Sequence, residues 1–222
     1  MRSLDAKNIW RSVAADISVS SYRGKRCFDI AGALILAVAF SPLAVCVASL
    51  VWHQSGRPVL FRHRRVGQGG RSFDVYKFRS MVKDAETRLA ELLENDAAAA
   101  QEWAATHKLK QDPRVTAVGR FLRKTSLDEL PQLMNVLMGE MSLVGPRPIV
   151  TQEMEKYGAD LPCYLAVKPG LTGLWQTSGR NDVSYEERVM LDVQYACSQS
   201  LWGDLQIVLK TAVVLFKDRS GY

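Results

Sequence analysis

The stretch that decides the fold runs from residue 28 to residue 52, FDIAGALILAVAFSPLAVCVASLVW. Its only charged residue, Asp29, lies at the start, and about 25 residues rising about 1.5 Å each are long enough to cross a hydrocarbon core of about 30 Å. Two features oppose a simple crossing. Pro42 has no amide to give to the carbonyl of Val38, and its ring pushes that carbonyl aside. A helix break is therefore expected at Ser41-Pro42, with the Ser41 hydroxyl available to the freed carbonyl. Each half is then too short to cross. The flanks point the same way: Arg23, Lys25 and Arg26 precede the run and Arg57, Arg62, Arg64 and Arg65 follow it, and basic flanks stay in the cytoplasm. The expectation is a re-entrant hairpin dipping into one leaflet. A kinked span is the alternative, and the length of the apolar run argues against a buried core helix.

Around this segment the composition is that of a globular domain. Of 222 residues, 47% are hydrophobic and 23% charged, which excludes wholesale disorder and fibrous repeats. Lys+Arg 29 against Asp+Glu 23 leaves +6, an excess suited to anionic partners such as phosphates, nucleic acid or a phospholipid surface. Cys27, Cys46, Cys163 and Cys197 form no CxxC pair, so a zinc ribbon is excluded, a disulfide scaffold is disfavoured and a reducing compartment fits. The first twenty residues lack the apolar core of a cleavable signal. The chain divides into a polar segment at 1–22, with a surface helix expected, a membrane helix at 23–55 and one cytosolic or interfacial domain at 56–222.

Within that domain, Val59 to Val66 and Arg71 to Phe78 around Gln68-Gly69-Gly70 read as a β-hairpin. Residues 83–106, free of Gly and Pro, read as one long helix or two stacked ones, with a solvated acidic face. A basic helical segment is expected from Gly119 to Lys124. Ser126 and Glu129 have capping-box spacing for a helix running to Met138 and stopping at Gly139. Pro131 complicates that start, and Asp128 itself is the alternative cap. Loops are expected at 168–173 and 178–181. Ser184 and Glu187 should open a further helix, and Asp204 to Phe216 is apolar around most of its circumference, suited with Trp202 to a membrane interface. The fold class is α/β mixed and mainly helical.

Chemistry concentrates in TSLDELPQLMNVLMGEMSLVGPRP, residues 125–148. A carboxylate can attack phosphorus or hold a divalent cation that neutralises phosphate oxygens. Consecutive helical residues diverge by about 100°, so Asp128 and Glu129 would divide the work, one as nucleophile and the other as metal ligand or base. Plain helix capping is the competing explanation. Arg123, and Arg147 between Pro146 and Pro148, offer bidentate forks for phosphate.

These residues carry a resemblance. KRCFDI at 25–30, the SP break, VYKFRSM at 75–81, FLRKTSLDELPQLMNVLMGEMSLVGPRP at 121–148, KPGLTGLWQTSGR at 168–180 and LDVQY at 191–195 together resemble the monotopic polyprenyl-phosphate sugar-1-phosphate transferases. The likeness is to the short, exopolysaccharide-production kind and runs from Tyr22 to the C-terminus. It implies a re-entrant helix broken at Ser41 and Pro42, interfacial helices, a small catalytic core and residence on the cytoplasmic face of the bacterial inner membrane. It implies Asp128 as nucleophile and Glu129 as its partner at a Mg²⁺ site. Arg123 and Arg147 would bind phosphate, Lys77 would lie near the site, and Asp192 is a further candidate. For Asp192 the competing reading is an exposed aspartate paired with Arg188.

The implied reaction moves a hexose-1-phosphate, galactose or glucose, from a UDP-sugar to polyprenyl (undecaprenyl) phosphate through a sugar-phosphoryl-aspartate, releasing UMP. A UDP-N-acetyl-hexosamine donor and a noncatalytic membrane adaptor are the alternatives. No nucleic-acid motif is present, and a homo-oligomer stays open. His53, His63 and His107 lack ligand spacing, and the first two are assigned to the basic interfacial belt. Trp10, Trp52, Trp175 and Trp202 suit core, interface or sugar platforms equally.

Overall fold

The computed structural model describes residues 21–106, 109, 111–178 and 183–217, the last three and 105–106 without side chains. The expected surface helix before Ser21, Trp10, His107, the loop residues Gly179, Arg180 and Asn181, and the side chain of Phe216 lie outside the described residues.

The apolar run forms one helix, α1, Lys25–Ser55, long and apolar enough to cross a membrane. At about 1.5 Å per residue its 31 residues extend about 46 Å. The helical run is not interrupted at Pro42, because the local chemistry compensates: Ser41 Oγ donates to the carbonyl of Val38 at 2.8 Å, the group that a residue other than proline would have bonded through its amide.

The two ends of α1 pack into two separate hydrophobic clusters, Ala33 with Leu143 and Tyr195 and Val47 and Val51 with Phe78 and Leu122, while residues 38–43 between them are exposed. At the N-terminal end Asp29 accepts from Ser142 Oγ at 2.8 Å and the Leu143 amide at 3.0 Å. Arg26 donates to the carbonyls of Val136 and Leu137. At the other end Val47 and Val51 pack with Phe78 and Leu122.

Strands β1 (Leu60–Val66) and β2 (Ser72–Phe78) form the expected antiparallel hairpin, with Leu60 opposite Phe78 and Val66 opposite Ser72. Phe73 and Val75 point into the core, as the period-two alternation of a strand requires. The hairpin is tied at both ends: Val66 bridges to Ile149, and Met81, just past β2, bridges to Val115.

Residues 85–106 make two helices, α2 (Ala85–Asn95) and α3 (Ala97–Thr106), stacked on each other. Trp103 of α3 lies beneath the Arg114 guanidinium at 5.0 Å, and Arg114 forms a bidentate pair with Asp112.

Helix α4 (Ala117–Thr125) is capped by Thr116, whose hydroxyl accepts from the Gly119 amide at 2.9 Å. Gly119 lies so close to the Ser80 carbonyl that any side chain there would collide with backbone. That close approach seats the last turn of α4, with Arg123, beside β2. Helix α5 (Gln132–Met138) ends at Gly139 in the left-handed region, φ 84°, where glycine carries no Cβ penalty. A short parallel pair, β3 (Ser142–Val144) with β4 (Gly170–Thr172), follows.

Among the described residues the remaining α-helices are α6 (Leu161–Ala166), α7 (Tyr185–Cys197) and α8 (Leu201–Lys217). The Ser184/Glu187 capping box on α7 forms as expected. Asp204 in the first turn of α8 is fully buried. It accepts from Lys25 Nζ at 2.6 Å and Tyr22 OH at 2.9 Å, with Tyr195 OH at 3.0 Å, joining both ends of the chain to the core. On the outer side of α8, Leu201, Leu205, Leu209 and Val213 are exposed at four-residue spacing, a continuous apolar stripe on one helix face.

Candidate active site

Asp128 and Glu129 sit on a single 3-10 turn, Leu127–Glu129, between α4 and α5. The Ser126/Glu129 capping box does not form. Ser126 instead ends α4 in a left-handed conformation, φ 56°, without a side-chain cap, and Glu129 turns away to Lys77. Pro131 stands at the N-cap of α5 with no amide to be capped. Neither acidic residue therefore serves as an ordinary helix cap.

Asp128 is buried at 8% exposure. Burial pushes its carboxyl up to about 6; Lys77 and Arg123 oppose the rise and Glu129 adds to it. Glu129 goes the other way. Burial would raise it, but Lys77 Nζ, donating to Oε1 at 2.6 Å, and the charge of Arg147 hold it below the usual glutamate range. Two neighbouring carboxylates are thus pushed apart, Glu129 firmly ionised and Asp128 titrating close to neutrality. This separation suits a division of roles.

The surrounding cations come from three separate segments. Lys77 projects from the end of β2, and Arg123 donates through Nε to Ser80 Oγ at 3.0 Å. Arg147 follows β3, its guanidinium over the Trp175 ring at 5.7 Å, and its charge acts on both Glu129 and Asp192. The structure therefore brings Lys77, Arg123 and Arg147 around the acidic pair.

Asp192 departs from the exposed, paired aspartate considered above. It is 1% exposed, makes no ion pair with Arg188, and accepts from Tyr157 OH at 2.7 Å. Burial pushes its carboxyl up to about 7 against the Tyr157 hydrogen bond and the charges of Arg188 and Arg147.

Half-buried on β1, His63 lies 3.2 Å from Arg65 and is held low by burial and by Arg65 and Lys77. His53, Trp52 and Trp202 are exposed, whereas Trp175 is buried.

Two arginines that the sequence reading placed elsewhere, Arg65 in the basic membrane flank and Arg188 beside Asp192, adjoin the site. Arg65 pairs with Glu153 at 3.5 Å and donates to the Pro148 carbonyl, bracing the segment that carries Arg147. Arg188 lies over Trp175 at 4.2 Å and Tyr185 at 5.2 Å. The Val66 bridge to Ile149, a contact between distant segments, is what puts Arg65 beside Pro148.

Among the described residues no group of three or more His, Cys, Asp or Glu gathers to hold a metal. The adjacent carboxylates of Asp128 and Glu129 are a donor set that fits Mg²⁺, which is commonly bound by one or two carboxylates together with waters and substrate phosphate oxygens.

The profile of the family described as Bacterial sugar transferase matches residues 20–218. The chain is 52% identical over 201 residues to the undecaprenyl-phosphate galactose phosphotransferase of Salmonella typhimurium, covering 89% of this chain and 41% of that protein. It is 50% identical over 198 residues to the exopolysaccharide production protein ExoY of Rhizobium meliloti, covering 89% and 88%. To the UDP-glucose:undecaprenyl-phosphate glucose-1-phosphate transferase of Escherichia coli it is 41% identical over 206 residues, covering 89% and 41%. The chain thus spans about two fifths of the Salmonella and Escherichia proteins and most of ExoY.

Proposed function

This chain belongs to the bacterial sugar transferase family, and we propose that it transfers a hexose-1-phosphate from a UDP-sugar to undecaprenyl phosphate, the first step of an exopolysaccharide. The observation that carries the reading is the buried Asp128, flanked by Glu129 and the cations Lys77 and Arg123.

In the proposed reaction the Asp128 carboxylate attacks the phosphorus that bears the hexose. The bond from that phosphorus to the bridging oxygen breaks, UMP leaves with the electron pair, and a sugar-phosphoryl-aspartate remains. A phosphate oxygen of the lipid then attacks the same phosphorus and frees Asp128. A carboxylate nucleophile divides one transfer between two anions into two easier steps. Arg123 and Arg147 hold the phosphate oxygens, and Lys77 keeps Glu129 ionised beside them. Bound Mg²⁺ at Asp128 and Glu129 would supply charge neutralisation of the diphosphate. The first test is UMP release from a panel of UDP-sugars, with and without Mg²⁺ and polyprenyl phosphate. Release from a hexose donor that stops without Mg²⁺ is expected. No release from folded, lipid-supplied protein would sink the reading.

We further propose that α1 is re-entrant and the catalytic domain sits on the cytoplasmic face of the inner membrane. The support is that both ends of α1 pack on clusters that take side chains from β2, Phe73 and Val75 at one end and Phe78 at the other, while residues 38–43, around Pro42, stand exposed. A helix anchored to one domain at both ends keeps both ends on one side of the bilayer. The exposed Phe121, Met134, Met138 and the stripe on α8 supply apolar surface for the interface. Single cysteines at Arg23 and Arg57 in an otherwise cysteine-free chain should both react with an impermeant maleimide in inverted vesicles, and neither in right-side-out vesicles. Opposite accessibility would establish a crossing.

A further inference from the structure

Arg188 and Asp192 stand one helical turn apart and yet do not pair, although the atoms available for pairing are buried. Among the described residues Arg188 Nε and Asp192 Oδ1 have no hydrogen-bond partner, nor have Trp175 Nε1 and Tyr185 OH nearby. Native chains leave few buried polar atoms in this state, and these four belong to one cluster. Arg188 touches both rings, Tyr185 lies edge-on to Tyr157 with centroids 6.3 Å apart, and Tyr157 bonds Asp192.

The chemistry of the open valences restricts what fits them. One face of the Trp175 ring is under Arg188, with Arg147 also against the ring, and the Tyr185 ring is engaged by Arg188 and Lys156. With the rings so engaged, stacking of a nucleobase is disfavoured, and the buried, unpaired polar edges are what a ligand entering the cluster would meet. At those edges Arg188 Nε and Trp175 Nε1 can only donate, Tyr185 OH can do either, and Asp192 Oδ1 accepts when the carboxyl is ionised and can donate when it is protonated. A phosphate would satisfy the donors but be repelled by the ionised form of Asp192. Hydroxyl groups both donate and accept, so a polyol satisfies all four.

We propose that Trp175, Tyr185, Arg188 and Asp192 form the subsite that reads the hydroxyl groups of the transferred hexose. The proposal rests on the transferase reading above. In that reaction the hexose hangs from the phosphorus that Asp128 attacks, so its subsite must adjoin the cations that hold the phosphate. Arg147 provides the junction, lying over Trp175 while acting on both Glu129 and Asp192. Epimeric hexoses differ in the direction of one hydroxyl, and a fixed set of donors and acceptors registers that difference.

The test measures binding of UDP-galactose, UDP-glucose and UDP to the full chain carrying Asp128→Asn, so that no turnover intervenes. Trp175→Phe and Tyr185→Phe each remove one polar atom and keep the ring, and Arg188→Lys removes Nε and keeps the charge. Each is expected to weaken the preferred UDP-hexose by about tenfold, the size of one hydrogen bond, and to leave UDP unchanged. In the chain with Asp128 intact, the ratio of galactose to glucose transfer should shift as well. Equal loss of UDP and UDP-hexose would assign the cluster to the nucleotide or diphosphate and overturn the proposal. Unchanged binding of all three by variants that melt like the parent would make the cluster structural and also overturn it. If the chain with Asp128 intact neither binds UDP nor releases UMP from any UDP-hexose, the transferase reading itself fails, and the subsite with it.

Discussion

Replacing Asp128 by asparagine is expected to abolish UMP release, by at least about 10³-fold as for loss of a catalytic nucleophile, and at the same time to stabilise the fold. The two effects share one cause. Burial raises the Asp128 carboxyl from 3.8 to about 6, so at neutral pH the ionised form is held in surroundings that favour the neutral one. With the folded value above the unfolded one, the contribution to stability is fully present below about pH 4 and is lost as the pH rises through about 6. A shift of that size corresponds to about 2–3 kcal/mol at pH 7.5, which asparagine, uncharged at every pH, would recover. Thermal melting should therefore place the variant above the parent at pH 7.5 and level with it near pH 4. A variant that melts lower at pH 7.5 would show that the Lys77 and Arg123 attractions outweigh burial.

The same residue sets the pH dependence of the reaction. A carboxylate nucleophile must be ionised, so the rate should rise with pH through an apparent value near 6. Lys77 opposes the effect of burial on Asp128 and holds Glu129 low. Lys77→Met should consequently move the acid limb upward and reduce the plateau. An acid limb that stays in place would remove Lys77 from the electrostatics of the nucleophile.

Local chemistry was legible in the chain, and long-range placement was not. The free Val38 carbonyl and its repair by Ser41 follow from one dipeptide, the hairpin from alternation around a glycine turn, and the α7 start from a capping box of four residues. The same box at Ser126 misleads because the turn is shared: α4 ends where α5 would begin, and Ser126 is spent on the left-handed exit. Lys77, Arg123 and Arg147 were identified by motif, but only the Gly119 approach to Ser80 and the Val66 bridge to Ile149 explain how they converge. The burial of Asp192 depends on Tyr157, 35 residues away. No periodicity within α7 announces such a partner.

Truncating Asp204 to alanine is expected to produce the largest loss of stability, about 3–5 kcal/mol as for a broken buried ion pair. Asp204 is fully buried and holds Lys25, Tyr22 and Tyr195 at 2.6–3.0 Å. Without it Lys25 keeps Asp29 at 3.4 Å and the Val144 carbonyl at 3.0 Å but loses the shorter of its two carboxylate contacts. A domain stable by about 5–15 kcal/mol would lose a large share of its margin. Asp204→Asn, which keeps an acceptor but no charge, should lose less. Because a buried pair can be replaced by well-packed apolar residues at little cost, Lys25→Met combined with Asp204→Leu should regain most of what Asp204→Ala loses. Melting of the three variants in detergent decides the matter, and a loss under about 0.5 kcal/mol for Asp204→Ala would mean that the pair only offsets its own desolvation. The effect should also reach the site. Lys25 bonds the carbonyl of Val144 and Asp29 bonds Ser142 and Leu143, so the seat of α1 fixes β3, and Arg147 follows β3 by three residues. UMP release by Asp204→Asn, measured well below its melting temperature, should fall with KM raised, since loosening β3 releases a guanidinium that holds phosphate rather than the nucleophile that attacks it.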